Sequence, residues 1–125
     1  MKYEGFRESD ALLSGGIGDN IFAYQHDGTF IEVWQQGINF PEQIQEIAGG
    51  NVLAAEFSTP SGVWELDDDG NLIAVYDPVT GNRGLFELSN GNILTTNGSG
   101  VHEISRANVL VETEDGVIVT VTPAA

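Results

Sequence analysis

Three sets of residues in this 125-residue chain have the types and spacing to do chemistry. The first is Asp67-Asp68-Asp69-Gly70-Asn71, which opens like a calcium loop. A complete EF-hand loop needs a glutamate at its twelfth position, and counting from Asp67 that position is Pro78. The run therefore reads as an Asp-Gly hairpin turn, as does Asp27-Gly28 earlier in the chain. The second set is the histidines, His26 and His102. Two imidazoles cannot build a zinc site without carboxylate help. His26 falls in a turn, and His102 falls where related segments carry Phe22 and Trp64, a packing position. The third set is Glu46 and Glu87, which occupy equivalent places, with Glu8 a candidate third copy. If these glutamates line a channel, their mutual repulsion raises their pKa values or recruits a divalent cation. If they turn into the interface between sheets, they bond backbone instead. No serine sits in a G-x-S-x-G turn, and Gly15-Gly16-Ile17-Gly18 lacks the lysine of a phosphate loop.

The elements that must position these residues repeat along the chain. Asn51-Val52-Leu53-Ala54-Ala55 returns as Asn92-Ile93-Leu94-Thr95-Thr96 and is preceded by Asp10-Ala11-Leu12-Leu13-Ser14, a period of about 41 residues. Gly62-Val63-Trp64-Glu65-Leu66-Asp67 matches Gly100-Val101-His102-Glu103-Ile104-Ser105 and Asn20-Ile21-Phe22-Ala23-Tyr24-Gln25. Asp69-Gly70-Asn71-Leu72 matches Asp27-Gly28-Thr29-Phe30, and the third copy keeps this loosely at Asn108-Val109-Leu110. Ile44 to Gly50 matches Leu85 to Gly91. Each repeat thus holds four short apolar runs, rich in β-branched and aromatic residues and separated by Asp-Gly, Asn-Gly or Gly-Gly turns. These are strands. Pro41 to Ala48, the best helical candidate, aligns with a clear strand in the next repeat. One domain, 1–125, is expected, with repeats at about 10–50, 51–91 and 92–125.

Charge limits the partners. Nineteen acids face four bases, Lys2, Arg7, Arg83 and Arg106, for a net charge of −15. That field repels phosphate backbones and anionic lipid, so nucleic acid and membranes are excluded as partners. It suits a saline habitat and equally suits general solubility. Met1-Lys2-Tyr3-Glu4-Gly5 has no hydrophobic signal region and the chain has no cysteine. This fits a reducing compartment such as the cytoplasm without excluding an oxidising one.

Four antiparallel strands in about 41 residues is the size of a β-propeller blade. Adjacent apolar pairs such as Val63-Trp64 and Leu72-Ile73 fit sheets buried on both faces. Leu88-Ser89-Asn90-Gly91-Asn92-Ile93-Leu94 and Gly62 to Leu72 resemble the turns of NHL-type propeller repeats. Similar strings occur in arylsulfotransferase-like and gluconolactonase-like propellers. The resemblance spans about residues 10 to 114 and implies a blade fold without implying an activity. The arylsulfotransferases use histidine catalysis, but no catalytic histidine motif matches here. Three blades, with a leading strand near Phe6-Arg7-Glu8 and an extra strand at Val117 to Val121, leave two apolar faces open. Either the chain is part of a longer protein or two copies close a six-bladed ring as a homodimer.

In such a blade the loops between second and third strands share a rim with the loops between blades. That rim is expected to gather Asp19, Asn20, Asn39, Ser58, Thr59, Asn82, Arg83, Asn97 and Ser99, with Trp34 and Tyr76 leading into it. Aromatic plates beside amide, carboxylate and guanidinium groups recognise carbohydrate; the alternative is that Trp34 and Tyr76 cap the blade core. The functional expectation is a non-catalytic binding or scaffold module with a small-molecule or glycan ligand and no resident cofactor. The alternative is a propeller hydrolase or lyase with a metal held by Glu46 and Glu87.

Overall fold

Each tight turn within a sheet doubles the strand back on its immediate predecessor, and among the described residues the result is three meandering antiparallel sheets. We describe a computed structural model over residues 10–15 and 18–114. The first sheet contains β1 (Asp10–Ser14), β2 (Asn20–Gln25) and β3 (Phe30–Gln36). The second contains β4 (Pro41–Glu46), β5 (Val52–Glu56), β6 (Gly62–Leu66) and β7 (Leu72–Tyr76). The third contains β8 (Leu85–Glu87), β9 (Ile93–Asn97), β10 (Gly100–Ile104) and β11 (Leu110–Glu114). The chain is all-β, with no α-helix among the described residues and so no helix long and apolar enough to cross a membrane. The segment from Pro41 is a strand, as its alignment requires. The strands expected near Phe6-Arg7-Glu8 and at Val117 to Val121 lie outside the described residues.

The repeats are structural copies down to single hydrogen bonds. Ala11 faces Tyr24, Val52 faces Leu66 and Ile93 faces Ile104, so the central hairpin holds one register in all three sheets. The final hairpin of each sheet carries a register shift at the same place, Ala23/Tyr24, Glu65/Leu66 and Glu103/Ile104. Such bulges sharpen the local twist of a hairpin. The turn after each bulge is closed identically. Gln25 N–H donates to Thr29 O at 2.8 Å, Asp67 N–H to Asn71 O at 2.9 Å and Ser105 N–H to Val109 O at 2.9 Å. The left-handed residue in these turns is Gly28 (φ 92°), Gly70 (φ 86°) and then Asn108 (φ 65°). Asparagine tolerates this conformation better than other side chains, which explains why the third copy looks degenerate in sequence while keeping its shape.

The second sheet is a middle layer, buried on both faces. Val52, Ala54 and Leu66 pack against Ile21, Ala23, Trp34 and Ile38, with Leu12, Ile44 and Trp64 beside them. Leu53, Ala55, Val63 and Tyr76 pack on the other side against Leu85, Ile93 and Ile104. Successive residues of β5 therefore serve opposite cores, and all five of its side chains are buried. Burying both faces removes the apolar/polar alternation of a solvated sheet. The leading strands lie side by side, with β4 against β1 and β8. Two glutamines tie β4 to β8: Gln43 Oε1 accepts from Leu85 N–H at 2.9 Å and Gln45 Oε1 from Glu87 N–H at 3.3 Å.

Candidate functional site

Most of the polar chemistry sits at the junctions between sheets. Arg106, in the β10–β11 turn, reaches from the third sheet to the second. Its Nη1 donates to Glu65 Oε1 at 2.6 Å and its Nη2 to Glu87 Oε2 at 2.6 Å. Its Nε donates to Gly91 O at 2.7 Å. The Tyr76 hydroxyl donates to Glu65 Oε1 at 2.6 Å, and Asn51 Nδ2 donates to Glu65 Oε2 at 2.9 Å. The guanidinium also stands 5.4 Å from the centre of the Tyr76 ring. Burial by itself would raise the Glu65 pKa. The bonds from Tyr76 and Asn51 and the Arg106 charge outweigh it and hold the carboxyl below its ordinary range. Burial, then the bond to Glu65, pushes the Tyr76 phenol up.

This network answers the question of the glutamates. Glu87 is turned into the junction, where it holds Arg106 and accepts from Ala48 N–H at 3.3 Å. Glu46, its repeat partner, is exposed at the end of β4. The structure therefore does not pair the two as cation ligands, and no cluster of three or more metal-ligating side chains occurs among the described residues. Asp67 likewise spends its carboxylate locally. Its Oδ1 accepts from Asp69 N–H and Asn71 N–H, both at 2.9 Å, and its Oδ2 from Asn71 Nδ2 at 3.1 Å. That is a hairpin cap, the reading the missing twelfth-position glutamate supports.

His102 is 3% exposed, a core histidine with a full set of partners. Its Nε2 lies 2.8 Å from Asn97 Oδ1 and its Nδ1 2.9 Å from Thr113 Oγ1. With the amide oxygen as acceptor, the Nε2–H tautomer lets Nδ1 accept from the threonine. His26 is exposed in the β2–β3 turn. The two imidazoles are on different sheets and play no joint role.

Glu56, at the end of β5, is 1% exposed. Its Oε2 accepts from Asn39 N–H at 2.8 Å and its Oε1 from Trp64 Nε1 at 3.1 Å. Asn97 is its repeat equivalent: it bonds His102, which stands where Trp64 does, and donates through Nδ2 to Thr80 O at 2.8 Å. In both sheets the end of the second strand anchors the incoming connection from the previous sheet.

The rim residues divide into three groups. Asp19, Asn39, Ser58 and Thr59 come together. Asp19 Oδ1 accepts from Phe40 N–H at 2.8 Å, Asn39 Nδ2 donates to Thr59 O at 2.8 Å, and Ser58 N–H donates to Asn39 O at 3.1 Å. Asn20 is half-buried nearby at the start of β2. Arg83 joins this group from the connection between the second and third sheets. Its guanidinium lies 4.3 Å from the centre of the Phe57 ring and 3.2 Å from Glu42 Oε1. Phe57 in turn meets Phe40 with ring centres 5.7 Å apart. A second group, Asn97 and Ser99, is turned toward His102. The third group is interior. Asn82 is fully buried, with Nδ2 donating to Thr95 Oγ1 at 3.0 Å. Trp34 and Tyr76 are 3% and 7% exposed and cap the junction cores, so neither presents a ring at the rim. Gly70 lies directly on Trp34, and Gln35 Nε2 beside it donates to Gly70 O at 2.6 Å.

The aromatic surface of the rim is thus Phe40 and Phe57, residues that the repeat alignment passes over. Phe57 opens a β5–β6 loop of residues 57–61, where the third sheet has only residues 98–99 between β9 and β10. That excess loop length was the signal available in the sequence. Arg106 also lies outside the repeat pattern; its mark in the sequence is the recurrence of Glu65 as Glu103 in a chain with four basic residues.

No protein-family model matches the chain, and a search of curated proteins found no match. Among solved structures, the chain is similar to a protein of unknown function from Bacteroides caccae, at 18% sequence identity and a TM-score of 0.64. The match covers 86% of this chain and 42% of that one, so the chain spans less than half of its neighbour's length, and the likeness is one of fold.

Proposed function

We propose that the chain is a non-catalytic binding module of β-propeller type, with its ligand at the rim built by Phe40, Phe57 and Arg83. The observation that carries this reading is the placement of the guanidinium over the Phe57 ring, beside a second ring and the Asn39, Thr59 and Asp19 loops. Ring faces flanked by donors and acceptors fit the alternating apolar and hydroxyl surfaces of a saccharide. The buried ionisable groups, Glu56, Glu65 and His102, are committed to hydrogen bonds that hold connections and junctions. The reading with a channel metal loses support because Glu87 is occupied by Arg106.

A glycan array followed by calorimetry on any hit tests the rim. Arg83→Ala and Phe57→Ala are expected to abolish binding while the far-UV spectrum stays unchanged. Absence of any hit would leave a scaffold role and remove the saccharide.

The propeller reading extends to assembly. Among the described residues three stacked sheets present two end faces, and six sheets fall within the four to eight that close a ring. We propose that a second copy supplies the remaining sheets, giving a two-fold closed dimer; the alternative is that these sheets belong to a longer chain. Light scattering across a salt series is the test. Repulsion between highly acidic copies weakens with salt, so association is expected to tighten as salt rises. A monomer at high salt and micromolar concentration would sink the dimer.

A further inference from the structure

The two end faces differ in chemistry. The first sheet's end face carries Phe22 and Tyr24, which meet Phe30 edge-on with ring centres 6.4 and 5.5 Å apart. Phe30 is 52% exposed. The third sheet's end face carries Phe86, Leu94 and Val101, which with Thr96, Gly84 and, from the second sheet, Gln43 line a cavity of about 190 Å³. On the same face, Glu103 pairs across the ladder with Glu112, and Glu114 stands beside Val101.

The junction between the second and third sheets shows what such a face receives. Glu65 takes Asn51 from its own sheet and Arg106 from the next one. Glu103 is the repeat equivalent of Glu65, and it already has its asparagine, with Asn92 Nδ2 donating at 2.8 Å. Among the described residues no lysine or arginine meets it. On an incoming sheet the Arg106 position lies two residues before the left-handed turn residue. In the third sheet that turn residue is Asn108; in the first it is Gly28, and the position is His26. The turns match bond for bond: Gly28 N–H donates to Gln25 O at 2.9 Å, as Asn108 N–H donates to Ser105 O at 2.9 Å. By the same equivalence Phe22 and Tyr24 stand where His102 and Ile104 pack against the second sheet.

We infer that the end face of the third sheet receives the first sheet of a second copy, with the second copy's Phe22 and Tyr24 over the cavity and its His26 on Glu103. This rests on the ring-closing reading and assigns the contact that controls it. Charge complementarity favours this occupant. The receiving side presents Glu103, Glu112 and Glu114, and the arriving turn presents the imidazole. Asp27, next to His26, accepts from Thr29 N–H at 2.9 Å within its own turn; that bonding holds it ionised, so the complementarity rests on the imidazole alone. Crowding of acids marks the site: the contact with Glu114 and its charge, then burial and the Glu103 charge, raise the Glu112 pKa, and a donor arriving at Glu103 finds an acceptor there.

The experiment is a charge swap read by analytical ultracentrifugation, at pH 6 and pH 8 and at a fixed salt where the wild type dimerises. A contact between an imidazolium and a carboxylate is strengthened by protonation of the ring, so the wild-type dimer is expected to tighten toward pH 6. H26E and E103K are each expected to weaken dimerisation at least ~10-fold, since a two-fold dimer contains the contact twice. The double variant H26E/E103K restores opposite charges across the contact with their sides exchanged. It is expected to return within about threefold of wild type, without the pH dependence. A wild type that stays monomeric at every salt concentration overturns the ring reading and this inference with it. A wild-type dimer with no rescue in the double variant overturns the His26–Glu103 contact and leaves the ring reading standing.

Discussion

Replacing Arg106 by methionine would keep the aliphatic stem and remove the charge that joins two sheets. Two carboxylates lose a partner at 2.6 Å; the Glu65 side chain is 9% exposed and that of Glu87 17%. Breaking a fully buried pair costs about 3–5 kcal/mol, whereas a surface pair is worth about 0–1 kcal/mol. The Arg106 side chain is 31% exposed, so solvent screens it in part, and the expected loss is about 2–3 kcal/mol. Urea denaturation at pH 7 and fixed protein concentration, followed by tryptophan fluorescence, reads this as a lower midpoint at constant slope. The pH dependence gives a second check. Glu65 is held below its ordinary range despite its burial, so its contribution is present above the pKa of an unfolded glutamate, about 4.3. It is lost as pH falls through the lower folded value, so the gap between wild type and variant is expected to close as pH falls below the ordinary glutamate range. A gap under about 0.5 kcal/mol at pH 7, or one that persists unchanged into acid, would refute the assignment of Arg106 as the junction's clamp.

Three further outcomes follow from the geometry. Gly70→Ala is expected to cost about 3 kcal/mol, because a Cβ there would stand 2.5 Å from Trp34 O at φ 86°; Gly28→Ala, at φ 92° with open space around it, should cost only about 1 kcal/mol, and equal losses would refute the close approach. Glu56→Ala is expected to lose about 3 kcal/mol by orphaning Asn39 N–H and Trp64 Nε1–H, with Glu56→Gln recovering at least half through its remaining acceptor; equal losses would refute the hydrogen-bond explanation. In an ultraviolet titration the Tyr76 phenol should ionise above the ordinary value of 10, because of burial first and the bond to Glu65 second. Glu65→Gln should bring it down, and no change would place the cause elsewhere.

The repeat made the sheets legible because turn chemistry is local. Asp27-Gly28 and Asp69-Gly70 state the hairpin outright, and Asn108 states it once its left-handed tolerance is recognised. Strand facing was not legible. In a sheet buried on both sides, Leu53 and Ala54 are equally apolar while serving opposite cores, so nothing in the pattern says which way Trp34 or Tyr76 points. The rim was legible as loops but not as a site, because Phe40 and Phe57 meet only through the fold. Arg106 lay hidden in the most divergent turn, and its partners Glu65 and Glu87 come from different sheets.

The unequal loops of the second and third sheets have a consequence for how such a protein can change. Residues 57–61 and residues 98–99 close hairpins whose strands keep the same register, Val52 with Leu66 and Ile93 with Ile104. A difference of three residues has been absorbed without moving a single ladder pair. Ladder register is therefore independent of loop length: insertions at the exposed tip alter reach at an entropic cost that grows slowly with length, while Ser61 at the loop's end stays buried and bonded to Asn82. New specificities could be grafted at the exposed Thr59 and Pro60 while Ser61 and the stacked interior, which tolerates almost no change in volume, are inherited intact.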